Sequence, residues 1–132
     1  MVMNAFDGRL TADRPTEPQL DHERLHVYQL ALELHGMLSA VLPRRGYAVV
    51  RDQLERASLS IVLNIAEGAG RSSGPDKRRF YVQARGSTTE CAALLDVLRL
   101  RSLIDPQTYL RARSLLVRLV QMLSRLVEPV QH

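Results

Sequence analysis

Tryptophan is absent from the 132 residues, and four Tyr and two Phe bring the aromatic share to only 5%. Leu, Val, Ile and Ala must therefore build the interior, and such residues suit helix-on-helix packing better than a β-sandwich. A single cysteine, Cys91, excludes an intramolecular disulfide and fits a reducing compartment. No apolar run reaches the ~18–20 residues of a membrane span. The N-terminus lacks the basic-then-apolar profile of a signal peptide, so the cytoplasm is the expected location. Lysine is nearly missing too: Lys77 is the only one among 18 basic residues, and the rest are Arg.

What is present is a lopsided charge distribution within a net charge of +4. Residues 1–40 carry six acids against three arginines, and residues 41–132 carry fifteen bases against eight acids. A GC-rich genome, which favours Arg codons, accounts for the arginines. So does an anionic partner, because the guanidinium fork matches phosphate oxygens bidentately.

Residues 1–20 are polar, contain Pro15 and Pro18, and show no period, which reads as a tail. The first helix is expected from His22 to Leu42 with Asp21 as its N-cap. Val27, Leu30, Ala31, Leu34, Leu38 and Val41 form its buried stripe. The second is expected over residues 48–67, with Leu54, Ala57, Ile61 and Ile65 inward, followed by a break at Gly68–Gly74. The third starts near Pro75, a favourable first helical position. Its inner face is read as Phe80, Ala84, Ser87, Cys91, Leu94 and Leu98, ending near Leu103. Asp105–Pro106 opens a fourth helix that runs to Val127, ahead of a short tail at 129–132. Short connections between long helices make antiparallel neighbours, so the predicted fold is an all-α, up-down-up-down four-helix bundle over residues 21–128. The apolar arc of the fourth helix, from Tyr109 to Val127, spans roughly 160°, broader than the ~100° a core-facing helix needs. A well-buried helix or a subunit interface explains that breadth.

No catalytic constellation emerges. His22-Glu23-Arg24-Leu25-His26 matches H-E-x-x-H, which on a helix places two imidazoles on one face beside a carboxylate base. No strands precede it to shape a cleft, and a third ligand is missing. The metzincin continuation falls on Leu32, and His35 lies about 90° off by helical phase. A zinc hydrolase through His22, Glu23 and His26 is a distant alternative to two surface histidines. Gly68, Gly70 and Arg71 lack the preceding strand and the Gly-Lys-Ser/Thr of a phosphate loop, so a helix break is expected and no cofactor. Cys91 falls in an apolar phase and reads as a small core residue.

The arginines follow a period. Arg111, Arg118 and Arg125 are spaced by seven, which makes one ridge drifting only ~20° per heptad. Arg78, Arg85 and Arg99 form a similar series on the third helix. Antiparallel pairing brings Arg99 towards Arg111 and Arg85 towards Arg125, so the two ridges are expected to border one basic groove. A solvated polar face predicts the same spacing.

The most specific text is Ser60-Ile61-Val62-Leu63-Asn64-Ile65-Ala66-Glu67-Gly68-Ala69-Gly70-Arg71, with Phe80, Ala84-Arg85-Gly86-Ser87 and Glu90 downstream. Over residues 22–128 it resembles the four-helix-bundle proteins encoded in 23S rRNA intervening sequences. A related branch is the accessory variability protein of diversity-generating retroelements. Two positions depart from the pattern: Val62 stands where a proline is usual, and His26 where an acid is common. The resemblance implies a bundle that assembles into a ring, commonly a homopentamer. For the retroelement branch it implies a basic surface that binds nucleic acid and a reverse transcriptase. It supplies no catalytic residues.

The matched residues also carry structural expectations. Glu67, at a helix C-terminus where its charge is unfavourable, calls for a partner among Arg71, Arg78 and Arg79. Gly86, inside a helix at a cost of ~1 kcal/mol against Ala, calls for a close approach by Ala57, Ser58 or Ser60. Two functions therefore compete: a non-enzymatic, oligomeric RNA- or DNA-binding accessory protein, and a protein-interaction scaffold whose arginines only keep it soluble.

Overall fold

A computed structural model of the chain describes residues 19–42 and 45–128. The expected tails, apart from residues 19 and 20, and the helix-ending role of Pro43 lie outside the described residues. The elements are a 3₁₀ turn at Asp21–Arg24 followed by α1 (His26–Val41), α2 (Ala48–Ala69), α3 (Gly74–Leu100) and α4 (Pro106–Val127). Each helix touches its chain neighbours, and α1 closes the ring of contacts against α4. Arg85 meets Ser124 near one end of the α3–α4 pair, and Asp96 meets Tyr109 near the other, as antiparallel helices require. The fold is the four-helix bundle that the periodicity predicts.

Two helix starts carry a side-chain cap, the one before Pro106 where the sequence leads one to expect it. Ser73 Oγ accepts from the Asp76 amide at 3.1 Å with Pro75 in the first turn of α3. Asp105 Oδ1 accepts from the Thr108 amide at 2.9 Å ahead of Pro106. The Thr108 hydroxyl and amide together hold the Asp105 carboxyl below its ordinary range.

The first helix starts differently. Asp21 caps nothing with its side chain, because residues 21–24 form a 3₁₀ turn and Leu25 is extended at φ −83°, ψ 124°. Leu25 packs against the core, and that anchor interrupts the helix and resets its phase before His26. At the other end of α1, Leu42 is buried and Val41 is exposed.

The core is formed by one stripe from each helix. On α3 the buried line runs through Tyr81, Ala84, Thr88, Cys91, Leu95 and Leu98, and not through Phe80, Ser87 and Leu94. The pairs 80/81, 87/88 and 94/95 are chemically similar neighbours, so the period alone defines two adjacent stripes. Packing against both α2 and α4 selects the one that faces between them. On α2, Val62 is buried within an unbroken helix, so the proline usual in related sequences leaves no kink here. Most of the apolar arc of α4 is consumed inside the protomer: between Tyr109 and Val127 the exposed apolar side chains are Leu110, Val117 and Leu126. That breadth reflects a well-buried helix.

At one end of the bundle Gly46 (φ +80°) and Tyr47 (φ 46°) turn the chain into α2. The Arg101 guanidinium lies 4.9 Å from the Tyr47 ring centroid and donates to its hydroxyl at 3.1 Å, tying the α1–α2 loop to the end of α3.

Candidate nucleic-acid interface

The signature residues of α2 and α3 meet in a hydrogen-bonded hairpin. Ser60 Oγ and Ser87 Oγ are 2.9 Å apart across the two helices. Asn64 Nδ2 donates to Ser60 O at 2.9 Å and to Ser60 Oγ at 3.0 Å. The two most distinctive sequence pieces thus join through three short polar side chains, which fixes the register of α2 against α3.

Beyond this link the helices close on Gly68. A Cβ there would stand 2.7 Å from Tyr81 Cε1, 3.0 Å from Tyr81 Cδ1 and 3.2 Å from Phe80 Cβ. Tyr81 is buried, so its ring has no room to retreat. The close approach expected at Gly86 is absent: that residue is exposed, and a Cβ would meet nothing within 4 Å. The glycine that the packing requires is Gly68, and Gly70 caps α2 in an ordinary right-handed conformation.

Lys77, absent from every candidate set read from the sequence, closes the same end. Its Nζ donates to Ala69 O at 2.9 Å and Gly68 O at 3.3 Å, at the negative end of α2. A compact ammonium reaches two adjacent carbonyls where a planar guanidinium is poorly shaped, so the lone lysine among arginines was the available signal. Glu67 finds its partner in Arg71, with Nη2–Oε2 at 3.0 Å. The guanidinium carbons of Arg71 and Arg79 lie 4.7 and 4.6 Å from the Phe80 ring centroid. Glu90 is exposed on α3.

The arginine ridges have the expected register but not the expected direction. On α3, Arg85 donates to Ser124 Oγ at 3.5 Å and the Arg99 guanidinium covers the Tyr109 ring at 4.6 Å, so these two follow the α4 edge, and Arg78 lies one heptad earlier on α3. On α4, Arg118 Nη2 lies 3.4 Å from His26 Nε2, and Arg125 lines a small cleft with His26, so the α4 ridge follows the α1 edge. The outward face of α4 stands between the ridges. Their separation is about the 10–12 Å width of a helix with its side chains, and they do not bank a single groove. A helix presents residues seven apart on one line, but its rotation against its neighbours is set by the whole core.

The ridges also differ in availability. Arg85 is half-buried, whereas Arg78, Arg99, Arg111, Arg118 and Arg125 are exposed; Arg99 covers Tyr109, and Arg125 Nε donates to Gln121 O at 3.4 Å. Among the described residues none of the six is ion-paired; the ion pairs there are Arg51–Asp52, Arg71–Glu67 and Arg79–Asp76. Arg111, Arg118 and Arg125 are thus three exposed cations in line, with no ion-pair partner among the described residues.

Other candidates dissolve into structure. The H-E-x-x-H residues are divided between the 3₁₀ turn and α1, so His22 and His26 do not share a helical face. His22 turns edge-on to Tyr28, with centroids 4.6 Å apart. No group of three or more His, Cys, Asp or Glu side chains able to hold a metal occurs among the described residues. Cys91 is fully buried, and burial, aided by the charge of Glu90, pushes its thiol up to about 12. A cleft of about 560 Å³ at the α3–α4 turn is lined by Arg99, Leu103, Asp105 and Tyr109, whose hydroxyl donates to Asp96 at 2.6 Å. No described helix is long and apolar enough to cross a membrane.

No curated protein matches the chain. The model of the 23S rRNA-intervening sequence protein family matches residues 23–125, from the 3₁₀ turn almost to the end of α4, and the chain belongs to that family.

Proposed function

We propose that this protein is a non-enzymatic accessory factor that self-associates and binds RNA or DNA through the phosphate backbone. The observation that carries the reading is the line of Arg111, Arg118 and Arg125, exposed along α4 and without ion-pair partners among the described residues. Phosphate contacts need cations at regular spacing and no base-reading chemistry. The α3 series adds Arg78, exposed one heptad before Arg85, while Arg85 and Arg99 are partly occupied by Ser124 and Tyr109. With few aromatics to stack on bases, binding is sequence-tolerant.

Self-association, as a homopentamer in the form the family resemblance implies, multiplies the ridges and makes weak contacts avid. Exposed Leu110 and Val117 support it. They stand two and one heptads before Ser124, next to α3. In a retroelement setting the protein partner is a reverse transcriptase, to which the assembly presents its template. These exposed apolar side chains are also what a scaffold without a nucleic-acid role would use.

The test is a fluorescence-anisotropy titration of single-stranded RNA and duplex DNA with the parent and the R111Q/R118Q/R125Q variant. The reading predicts weaker binding by the variant with helicity unchanged. Equal binding, or none by the parent, contradicts it.

A further inference from the structure

Arg118 donates from Nη2 to Nε2 of His26 at 3.4 Å across the seam between α4 and the first residue of α1. A guanidinium has no acceptor, so Nε2 carries the lone pair and the ring proton sits on Nδ1. Among the described residues, the charged and titratable groups nearest it are Arg118 and Arg125 from α4 and His22, Glu23 and Arg24 from the preceding turn. His26 and both α4 arginines are exposed.

We infer that His26 is a fourth phosphate contact of the α4 ridge, strongest when its ring is protonated, so that nucleic-acid binding takes up a proton from solvent. The inference rests on the reading that this ridge binds nucleic acid. In the free protein, protonating His26 forfeits the hydrogen bond from Arg118 and sets two cations side by side. A phosphate in the seam reverses both effects. Its oxygens accept from Arg118 and from the new Nε2–H, and its charge lies between the two cations. Proton and phosphate therefore raise each other's affinity, as linkage requires. Histidine is the side chain whose ordinary titration falls between about pH 5 and 8, which places the coupling in an accessible range.

The test is an anisotropy titration of a short single-stranded RNA at several salt concentrations, at about pH 5.5 and about pH 8. One more phosphate neutralised per protomer steepens the plot of log K against log salt by about 0.7 at the lower pH. For a fourfold reduction in salt that is an extra gain of about 2.6-fold in affinity. His26→Gln removes the difference between the two slopes, and an NMR titration of the His26 ring shows its midpoint rising when RNA is bound. A difference in slope that persists in H26Q, or a midpoint unmoved by bound RNA, overturns the inference and leaves the ridge reading standing. A parent protein that binds RNA at neither pH overturns both.

Discussion

Replacing Gly68 with Ala should destabilise the protein, while replacing Gly86 with Ala should stabilise it. Both glycines are helical, so each substitution gains up to about 1 kcal/mol of helix propensity. The surroundings separate them. The new methyl at residue 68 meets Tyr81 Cε1 at 2.7 Å and Phe80 Cβ at 3.2 Å, and at residue 86 it meets nothing within 4 Å. Overpacking against a buried ring typically costs about 1–3 kcal/mol. Gly68→Ala is therefore expected to lose up to about 2 kcal/mol, and Gly86→Ala to gain close to 1. The difference between the variants isolates the packing cost, because the propensity gain largely cancels. At this chain length each kcal/mol moves Tm by about 4 °C. Urea and thermal unfolding followed by circular dichroism, at equal protein concentration, resolve such a separation. Two variants that shift alike, or a Gly68→Ala protein more stable than its parent, would refute the close approach of α2 and α3 at this point.

Further outcomes follow from the same geometry. Lys77→Met should lower unfolding stability by about 1–2 kcal/mol, because two carbonyls at the end of α2 lose a charged donor; an unchanged urea midpoint would remove Lys77 from that role. Cys91 should resist thiol reagents in the native protein at pH 8 and react fully in urea, its thiol being buried and pushed up to about 12. Rapid native labelling would contradict that burial. The depressed Asp105 carboxyl stabilises the fold above the ordinary carboxylate range, and that contribution disappears as pH falls through its lowered folded value. Asp105→Asn should thus shrink the acid-side loss of Tm while keeping the cap.

The parts of this fold that were legible in the sequence are those governed by local chemistry. Asp105 and Pro106 start α4 where a cap and a proline demand it, and the helix ends at Val127 as read. The Glu67 charge at a helix C-terminus called for a nearby cation, and Arg71 supplies it. The rest depended on neighbours distant in sequence. Leu25 interrupts the first helix because it is anchored in the core, which no local propensity encodes. Gly86 and Gly68 carry the same intrinsic cost in a helix, and only the position of Tyr81 tells which one is needed. The arginine spacing of seven defined the ridges, but their separation by the breadth of α4 came from how the core rotates each helix. The period put Phe80, Ser87 and Leu94 on the inner face of α3, and packing against α2 and α4 turns Tyr81, Thr88 and Leu95 inward instead.

The central claim is that the α4 ridge contacts phosphates, and the salt dependence of nucleic-acid binding tests it most directly. Each phosphate contact on single-stranded RNA contributes about −0.7 to the slope of log K against log salt. Replacing Arg111, Arg118 and Arg125 with Gln should therefore flatten that slope by about 2 per engaged protomer. The corresponding Arg78, Arg85 and Arg99 variant should flatten it less, since Arg85 is half-buried between α3 and α4. A triple α4 variant that keeps the parent's slope would contradict the account.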